Sequence, residues 1–405
     1  MAEIKKIVLA YSGGLDTSVA IKWLADKYHA KIITCTVDLG QGEDFKFIGE
    51  KALKVGAENH YTIDAKAEFA KDYIFPSIKA NGLYEGKYPI STALGRPLVA
   101  KKLVEVAHKE GAGAVAHGCT GKGNDQLRIE ISTKALDPNL TLLAPTRNWG
   151  MSRDQEVEYA SRHGIPVSKA AKKYSIDQNL WGRSIESGPL ENPWNAPEDD
   201  GWEWTKSPEE APKKPTFLEV EFKGGVPVAI NGKRHDPVSL IWNVNRVAGE
   251  NGIGRIDHME DRIVGIKSRE TYECPAAVTI LEAHKDLEKL ILNRRELTFK
   301  RLVDEQWAFL VYAGLWDDPL REDLDAFIDR TSERMDGRVK VKLYKGSMIV
   351  VGRESPYSVY DFKTATYDSS STFDQTLSNG FVPLWGLQTV VSRKVLSKIS
   401  RKKRQ

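Results

Sequence analysis

The chain has 405 residues, 41% of them hydrophobic and 28% charged, a globular balance that excludes disordered, collagenous and disulfide-scaffold proteins and predicts two or three domains. Its 59 lysines and arginines barely outnumber its 56 aspartates and glutamates, which is too small a surplus to indicate nucleic-acid binding. The three cysteines are far apart, and no apolar stretch is long enough for a membrane span or signal peptide, so we expect a cytoplasmic protein that binds neither nucleic acid nor membrane.

Strands and helices are predicted to alternate through the first 170 residues. Residues 6–11 (KIVLAY) form a short apolar run typical of a buried strand, and from Thr17 the apolar residues follow helical spacing. Such alternation predicts a doubly wound, mostly parallel α/β sheet that binds ligands beyond the carboxyl ends of its strands. The other expected strands are residues 31–38, 60–63, 113–118 and 141–144, and the other expected helices are residues 44–55, 69–80 and 94–110.

After about Tyr174 the pattern changes, and strands and helices are segregated rather than alternating. Residues 191–216 hold five prolines and three tryptophans, which predicts an extended surface connection whose tryptophans pack against the protein. The segregated pattern beyond it predicts a second, α+β domain. The elements expected there are a hairpin of residues 216–222 and 226–230, helices within residues 276–313, strands at 339–344 and 347–351, and a last helix from about Val391.

Two glycines and three hydroxyl residues lie between the first expected strand and the first helix. The glycines let backbone amides approach an anion, and the hydroxyls add donors beside the positive helix N-terminus, which favours a site for a polyphosphate. The alternative is a glycine turn in which Thr17 or Ser18 caps the helix. No lysine follows the glycines, so this is not a Walker A motif. The segment, here called the phosphate loop, consists of Ala10, Tyr11, Ser12, Gly13, Gly14, Leu15, Asp16, Thr17 and Ser18.

A second glycine-rich segment, residues 116–128 (AHGCTGKGNDQLR), also follows an expected strand and should reach the same edge of the sheet. Asn124 can donate and accept hydrogen bonds, Asp125 can hold an ammonium group, and Arg128 can grip a carboxylate with two hydrogen bonds. A glycine turn with an Asn or Asp helix cap is the alternative. We expect His117 to be a packing residue and Cys119 to be small and buried.

Polar residues cluster again at residues 174–184 (YSIDQNLWGRS), where the first domain gives way to the second. Such junctions often hold substrate pockets, and the hydroxyl and amide groups suit a zwitterionic ligand, although alone they are typical of a polar loop. Glu260 and Tyr272 flank the strand-like residues 262–268. From the residues alone, both side chains are expected at the surface.

These motifs resemble those of a known family. YSGGLDTS is similar to the pyrophosphatase loop of the N-type ATP pyrophosphatases, which cleave ATP between its α and β phosphates and adenylate a substrate. Together with GCTGKGNDQLR, YSIDQNLWGRS and the segments MEDR and RETY at residues 259–262 and 269–272, it resembles the argininosuccinate synthase family along nearly the whole chain. The resemblance implies an ATP-dependent ligase that joins citrulline and aspartate through a citrullyl-adenylate and releases AMP and pyrophosphate. The alternative is a tRNA thiolase of the same superfamily, which usually needs a reactive cysteine pair or a basic extension.

The resemblance also assigns residues to ligands. It implies that Mg²⁺ arrives with the nucleotide, and we predict no metal site in the protein itself. We expect Asp16, Asn124 and Asp125 to be the catalytic residues. The implied ATP contacts are Ala10, Tyr11, Ser12, Gly13, Gly14, Leu15, Asp16, Thr17, Ser18, Val37 (through its backbone at most) and Gly118. The implied aspartate contacts are Thr120, Asn124 and Asp125, and the implied citrulline contacts are Tyr88, Asn124, Arg128, Ser175, Ser184, Glu260 and Tyr272.

The pattern and the resemblance together predict that the chain has three parts. They are a nucleotide-binding ATP pyrophosphatase domain at residues 1–170, a synthetase domain that binds citrulline and aspartate at 171–365, and a C-terminal extension at 366–405. Residues 392–405 contain seven lysines and arginines and no acidic residue, a pattern also found in segments that bind anionic surfaces. We favour a helix whose apolar residues pack on a neighbour, since the resemblance implies a homotetramer held together by this extension.

Overall fold

The computed structural model describes residues 4–166 and 173–402, and the chain divides into two compact units, Met1–Tyr357 and Ser358–Gln405. The divisions expected after residues 170 and 365 stay predictions, and the first of them lies outside the described residues. Within the ranges that the structure describes, no helix has the length and apolar character needed to cross a membrane.

Strands and helices alternate in the first part of the larger unit, as predicted. Most of the expected elements are present with shifts of a few residues at their ends. Within the helix expected at residues 69–80 the chain makes one π-helical turn, Ala70–Ile74. The elements are β1 (Lys6–Ala10), α1 (Leu15–Tyr28), β2 (Lys31–Asp38), α2 (Phe45–Val55), β3 (Asn59–Asp64), α3 (Lys66–Phe69), α4 (Phe75–Lys79), α5 (Ser91–Glu110), β4 (Ala114–Ala116), α6 (Asp125–Leu136), β5 (Thr141–Leu143), α7 (Pro145–Asn148) and α8 (Arg153–Arg162).

Five parallel strands form the first sheet, in the order β3-β2-β1-β4-β5. Successive side chains of β1 point to opposite faces: Ile7 and Leu9 pack in the cluster that contains Leu24 of α1, whereas Val8 packs in the cluster that contains Leu98 of α5. Helices therefore cover both faces, and the predicted doubly wound sheet is confirmed. Because β1 lies between β2 and β4, the loops after β1 and β4 diverge at the carboxyl edge and open a crevice there.

Two antiparallel sheets complete the larger unit, in the orders β10-β9-β8-β13-β14 and β11-β12-β7-β6. The predicted α+β arrangement is confirmed, but the helix Pro237–Glu250 was not expected, although Asp236 caps it and Pro237 begins it. The elements are β6 (Ser175–Asn179), β7 (Gly182–Glu186), β8 (Thr216–Lys223), β9 (Val226–Ile230), β10 (Lys233–Arg234), α9 (Pro237–Glu250), β11 (Arg255–Asp261), β12 (Lys267–Glu273), α10 (Pro275–Ile291), α11 (Arg294–Tyr312), α12 (Pro319–Ser332), β13 (Gly337–Tyr344) and β14 (Ser347–Glu354).

The polar cluster at residues 174–184 is a hairpin of β6 and β7, not a loop. Its turn buries Trp181, whose indole Nε1 donates to the Pro89 carbonyl oxygen at 3.1 Å, and this anchor holds the polar strands in place. The expectation that the tryptophans of residues 191–216 pack is wrong for Trp194, which is 94% exposed. It holds for Trp202, which lies against the Arg255 guanidinium, 4.8 Å from the ring centroid.

The smaller unit contains the short helix α13 (Phe362–Ala365) and the long helix α14 (Ser378–Lys402). The last helix begins at Ser378 rather than near Val391, because helically spaced apolar residues continue across Pro383. Large apolar side chains of α14 are exposed within the chain, with Trp385 at 71%.

Candidate active site

The phosphate loop connects β1 to α1 at the carboxyl edge of the first sheet. Gly13 has the left-handed φ of +73°, and a Cβ there would lie 3.1 Å from Ile48 Cγ1, so backbone and space both favour glycine. Gly14 is the residue before the first helical turn, and no side chain caps that turn. The alternative in which Thr17 or Ser18 caps the helix is therefore wrong, and the first N–H groups of α1 are left for a ligand.

The three hydroxyl side chains of the loop have different surroundings. Ser18 Oγ donates to the Gly14 carbonyl oxygen at 2.7 Å and lies 3.0 Å from Tyr11 Oη, and its side chain is fully buried. It therefore holds the first turn of α1 in shape. Ser12 Oγ and Thr17 Oγ1 lie 3.3 Å apart in the wall of a cavity, where both can meet a ligand.

Asp16 lies in the first turn of α1 and pairs with Arg153, which also donates to Glu156 at 3.2 Å. Burial, and after it the charge of Asp16, raises the pKa of the Glu156 carboxyl to about 7. Asp16 thus belongs to a carboxyl pair that shares one exposed arginine at the mouth of the crevice.

A cavity of about 530 Å³, here called the larger cavity, lies at the carboxyl edge of the first sheet. Gly118 fits closely into its wall, since a Cβ there would lie 2.8 Å from Thr17 Cγ2. Three of the expected ATP contacts, Gly13, Leu15 and Ser18, do not line it. Those that do are Ala10, Tyr11, Ser12, Gly14, Asp16, Thr17, Val37 and Gly118.

A second cavity of about 190 Å³, the smaller cavity, lies between α6 and the sheet that contains β7 and β12. Ser175 is exposed and does not line it, unlike the other residues expected to contact amino acids. The expected residues that line it are Tyr88, Thr120, Asn124, Asp125, Arg128, Ser184, Glu260 and Tyr272.

Two arginines hold Asp125 in the wall between the cavities. Arg96 Nε donates to Asp125 Oδ2 at 2.8 Å, and Arg128 Nη1 donates to Asp125 Oδ1 at 2.9 Å. Burial raises the pKa of Asp125, but the two guanidiniums outweigh it, and the net effect is a lowered pKa. Arg128 also donates from Nε and Nη2 to the Tyr312 carbonyl oxygen at 3.0 and 2.9 Å, so much of the fork expected to grip a carboxylate is already occupied.

The two cavities share Cys119, Asp125 and Asp177. Arg96 Nη2 donates to Asp177 Oδ2 at 2.5 Å, so one guanidinium joins both carboxylates of this shared wall. Cys119 is half-buried rather than buried, because its side chain faces the cavities. Burial raises the pKa of its thiol to about 12, which leaves it unreactive.

Strand register brings the remaining polar groups together. Asp177 pairs with Ser184, Ser184 with Tyr272, and paired residues point to the same face of the sheet. Glu260 lies on β11, which pairs with β12, and is only 3% exposed, while Tyr272 is fully buried. The expectation that these two side chains lie at the surface is therefore wrong, because residues 262–268 are mostly the turn between β11 and β12 rather than a strand.

Glu260 and Glu270 compete for the same phenol. Tyr272 Oη lies 3.0 Å from Glu260 Oε2 and 2.8 Å from Glu270 Oε2, but the phenol has one proton to donate. Tyr312 Oη donates to Glu260 Oε1 at 3.0 Å. Burial, and after it the charge of Glu270, raises the pKa of Glu260 to about 8. The smaller cavity thus ends in a carboxyl group that carries a proton at neutral pH.

Comparison with known proteins identifies the family. Two family models match, the arginosuccinate synthase N-terminal HUP domain at residues 6–166 and the arginosuccinate synthase C-terminal domain at residues 174–392. The chain belongs to the argininosuccinate synthase family. The argininosuccinate synthase of Pyrococcus furiosus is 56% identical over 96% of this chain and 95% of its own length. That of Geobacillus thermodenitrificans is 55% identical over the same shares. An NAD+ synthetase structure from Burkholderia pseudomallei covers 41% of this chain and 69% of its own, with 21% identity and a TM-score of 0.28, too low to bear on the fold.

Membership of the argininosuccinate synthase family confirms an ATP-using ligase of arginine biosynthesis that acts on citrulline and aspartate, and it does not favour a tRNA thiolase. The structure adds cavity residues that the sequence reasoning missed: Arg96, Asp177, Glu270 and Tyr312. Asp177 could have been predicted from the sequence, since it lies two residues after Ser175 on the same strand. The others gave no local signal, because each meets its partners only through the tertiary fold.

The raised pKa of Glu260 should make folding stability depend on pH. The folded protein keeps a proton on Glu260 up to about pH 8, whereas the unfolded chain releases it near 4.5, the ordinary value. The stability of the folded protein with a neutral Glu260 is therefore fully present below about pH 4.5, and the free energy of unfolding falls as the pH rises from there towards 8. Glu260→Gln cannot ionise, so we expect its free energy of unfolding, measured in urea at about pH 5 and about pH 8, to fall less between these two pH values than that of the wild type. The exposed Glu158→Gln is the control, and equal slopes for wild type and Glu260→Gln would contradict the expectation.

Proposed function

We propose that the larger cavity binds ATP, that the smaller cavity binds citrulline and aspartate, and that the amino acids are joined through a citrullyl-adenylate. The observation that carries this proposal is the wall shared by the two cavities, which contains Asp125 and Asp177. A nucleotide in one cavity and an amino acid in the other then meet at that wall, as a reaction between them requires.

In the first step, the ureido oxygen of citrulline attacks the α-phosphorus of ATP, and pyrophosphate leaves. Negative charge develops on phosphate oxygens, which the uncapped N–H groups of α1 and the hydroxyls of Ser12 and Thr17 stabilise. Mg²⁺ enters with ATP as part of the substrate. Asp16, a carboxylate in the wall of the larger cavity, would help phosphates and water to hold this ion.

In the second step, the amine of aspartate attacks the activated ureido carbon and expels AMP. We assign aspartate to Thr120, Asn124 and Asp125. The Asn124 side-chain oxygen already accepts from the Ile263 amide at 3.0 Å, which leaves its amide N–H groups for a carboxylate. Citrulline is assigned to the far end of the smaller cavity, where the carboxyl of Glu260 and the stacked rings of Tyr88 and Tyr272, 4.1 Å apart, meet.

The cysteines supply no thiol chemistry for a competing thiolase reaction. Cys35, Cys119 and Cys274 are all unpaired. Burial raises the pKa of the Cys35 and Cys119 thiols to about 12, and that of Cys274 further still. Unpaired thiols also suit a reducing compartment, so we place the enzyme in the cytoplasm.

Isotope transfer tests the proposed chemistry directly. Citrulline labelled with ¹⁸O in the ureido group should deliver its label to AMP and none to pyrophosphate, because the ureido oxygen is the nucleophile in the first step and departs with AMP in the second. Mass spectrometry of the products with Mg-ATP and aspartate measures this. Label that stays in the amino-acid product, or ADP as the nucleotide product, would overturn the proposal.

We further propose that α14 holds a homotetramer together. The helix exposes apolar side chains such as Val391 and Val395, at 50% and 51%, and such a surface is stabilised when it packs on another chain. Deletion of the residues after Leu387 should therefore lower the oligomer size in multi-angle light scattering. The charge-only variant Arg393→Gln should keep the wild-type size. A truncated protein that remains a tetramer of unchanged stability would count against this role.

A further inference from the structure

One lysine approaches the phosphate loop from outside the cavity. Lys51 lies on α2, and its Nζ donates to the Gly13 carbonyl oxygen at 2.7 Å. Ile48, one turn earlier on the same face of α2, packs against Gly13, so two side chains of this helix fix the position of one loop residue. Lys51 does not line the larger cavity, so it contacts the loop from behind.

The contact fixes the orientation of a peptide group. In a trans peptide the carbonyl oxygen and the following N–H point in opposite directions. Since the Gly13 carbonyl oxygen points to Lys51, the Gly14 N–H points away from Lys51, and it donates to Ser12 Oγ, which lies 3.4 Å from the Gly14 nitrogen. Both Ser12 and Gly14 line the larger cavity. The lysine thus holds the N–H of Gly14 on the ligand side of the loop.

The charge of Lys51 is not balanced within the described part of the chain. No carboxylate there lies within ion-pairing distance of its Nζ, and burial lowers the pKa of its ammonium group. An anion bound in the phosphate loop would offset that cost. We propose that Lys51 is a positioning residue of the phosphate loop, which holds the Gly13–Gly14 peptide with its N–H towards the pyrophosphate portion of ATP and adds positive charge behind it.

The proposal rests on the proposed function and is tested by binding, which needs no turnover. In Lys51→Met, the dissociation constants of ATP and of pyrophosphate in calorimetry should rise about tenfold, the scale of a lost charge-assisted hydrogen bond, while that of AMP stays within about twofold. Lys51→Arg keeps the charge and the donor and should restore most of the affinity. Lys54→Met, on the exposed side of the same helix, is the matched control.

The outcomes separate positioning from a general structural role. Unchanged affinity for ATP and pyrophosphate in Lys51→Met would overturn the proposal, as would an equal loss for AMP or a loss that Lys51→Arg does not restore. Thermal melting of each variant identifies a folding defect. If Lys51→Met has one, the affinity of Lys51→Arg for ATP and pyrophosphate decides whether Lys51 is a positioning residue. The labelled-citrulline experiment on the wild type decides the proposed function separately.

Discussion

Asp125→Asn is expected to lose the formation of argininosuccinate more severely than the citrulline-dependent exchange of pyrophosphate into ATP. The carboxylate balances the guanidiniums of Arg96 and Arg128 and is the group assigned to the ammonium of aspartate. Aspartate takes part only in the second step, so exchange should fall less than the overall reaction. We expect the overall rate to fall by about 100-fold or more, the scale of losing one preorganised electrostatic contact.

Asparagine is preferred to alanine at this position because it keeps the shape of the side chain. Asp125→Ala would remove the carboxylate that both guanidiniums share, leaving Arg96 with Asp177 and Arg128 with the Tyr312 carbonyl oxygen. Removal of one partner from a buried ion pair destabilises proteins by about 3–5 kcal/mol. Asp137→Asn, at the other end of α6, is the matched control. Equal losses of exchange and of product formation in Asp125→Asn would contradict the assignment of Asp125 to the aspartate step.

Asp16→Ala is expected to abolish turnover and leave the fold intact. Asp16 is the carboxylate of the phosphate loop, and its side-chain partners among the residues that the structure describes are the exposed Arg153 and the neighbouring Glu156. Loss of a partly exposed pair costs about 1 kcal/mol or less, so the melting temperature should hardly change. The rate should fall by about a thousandfold or more, to the background of the assay, because the charge that helps to hold Mg-ATP is lost.

Steady-state assays and thermal melting of Asp16→Ala measure the two effects separately. Asp26→Asn, on the exposed end of the same helix, should behave as wild type. Full activity of Asp16→Ala with normal ATP affinity would remove the phosphate loop from the mechanism.

The parts of the site that depend on local order could be predicted from the sequence. The order of a strand, two glycines with hydroxyl residues, and a helix is typical of a loop that binds phosphate at the start of the helix. The phosphate loop lies where this pattern predicted it. Resemblance supplied the residues of both cavities that it assigned to ATP, citrulline and aspartate, apart from Gly13, Leu15, Ser18 and Ser175, which line neither cavity. The prediction from the residues alone that Glu260 lies at the surface failed, because the position of a side chain in an antiparallel sheet depends on a register that no short segment encodes.

Arg96 illustrates why the rest could not be predicted. It lies inside α5, where an arginine usually faces solvent, and its partners Asp125 and Asp177 are 29 and 81 residues away. Only the packing of α5 between α6 and the hairpin of β6 and β7 brings these charges together. By contrast, α9 was predictable, since Asp236, Pro237 and helically spaced apolar residues mark its start.

The bridge that Arg96 makes between Asp125 and Asp177 has a consequence for how the substrates bind. Asp125 and Asp177 each line both cavities, so a ligand in the larger cavity that draws Arg96 towards itself weakens the hold of Arg96 on two carboxylates that also face the smaller cavity. The affinities for nucleotide and amino acid are then thermodynamically linked. Such coupling is reciprocal: whatever factor ATP imposes on the dissociation constant of aspartate, aspartate imposes on that of ATP.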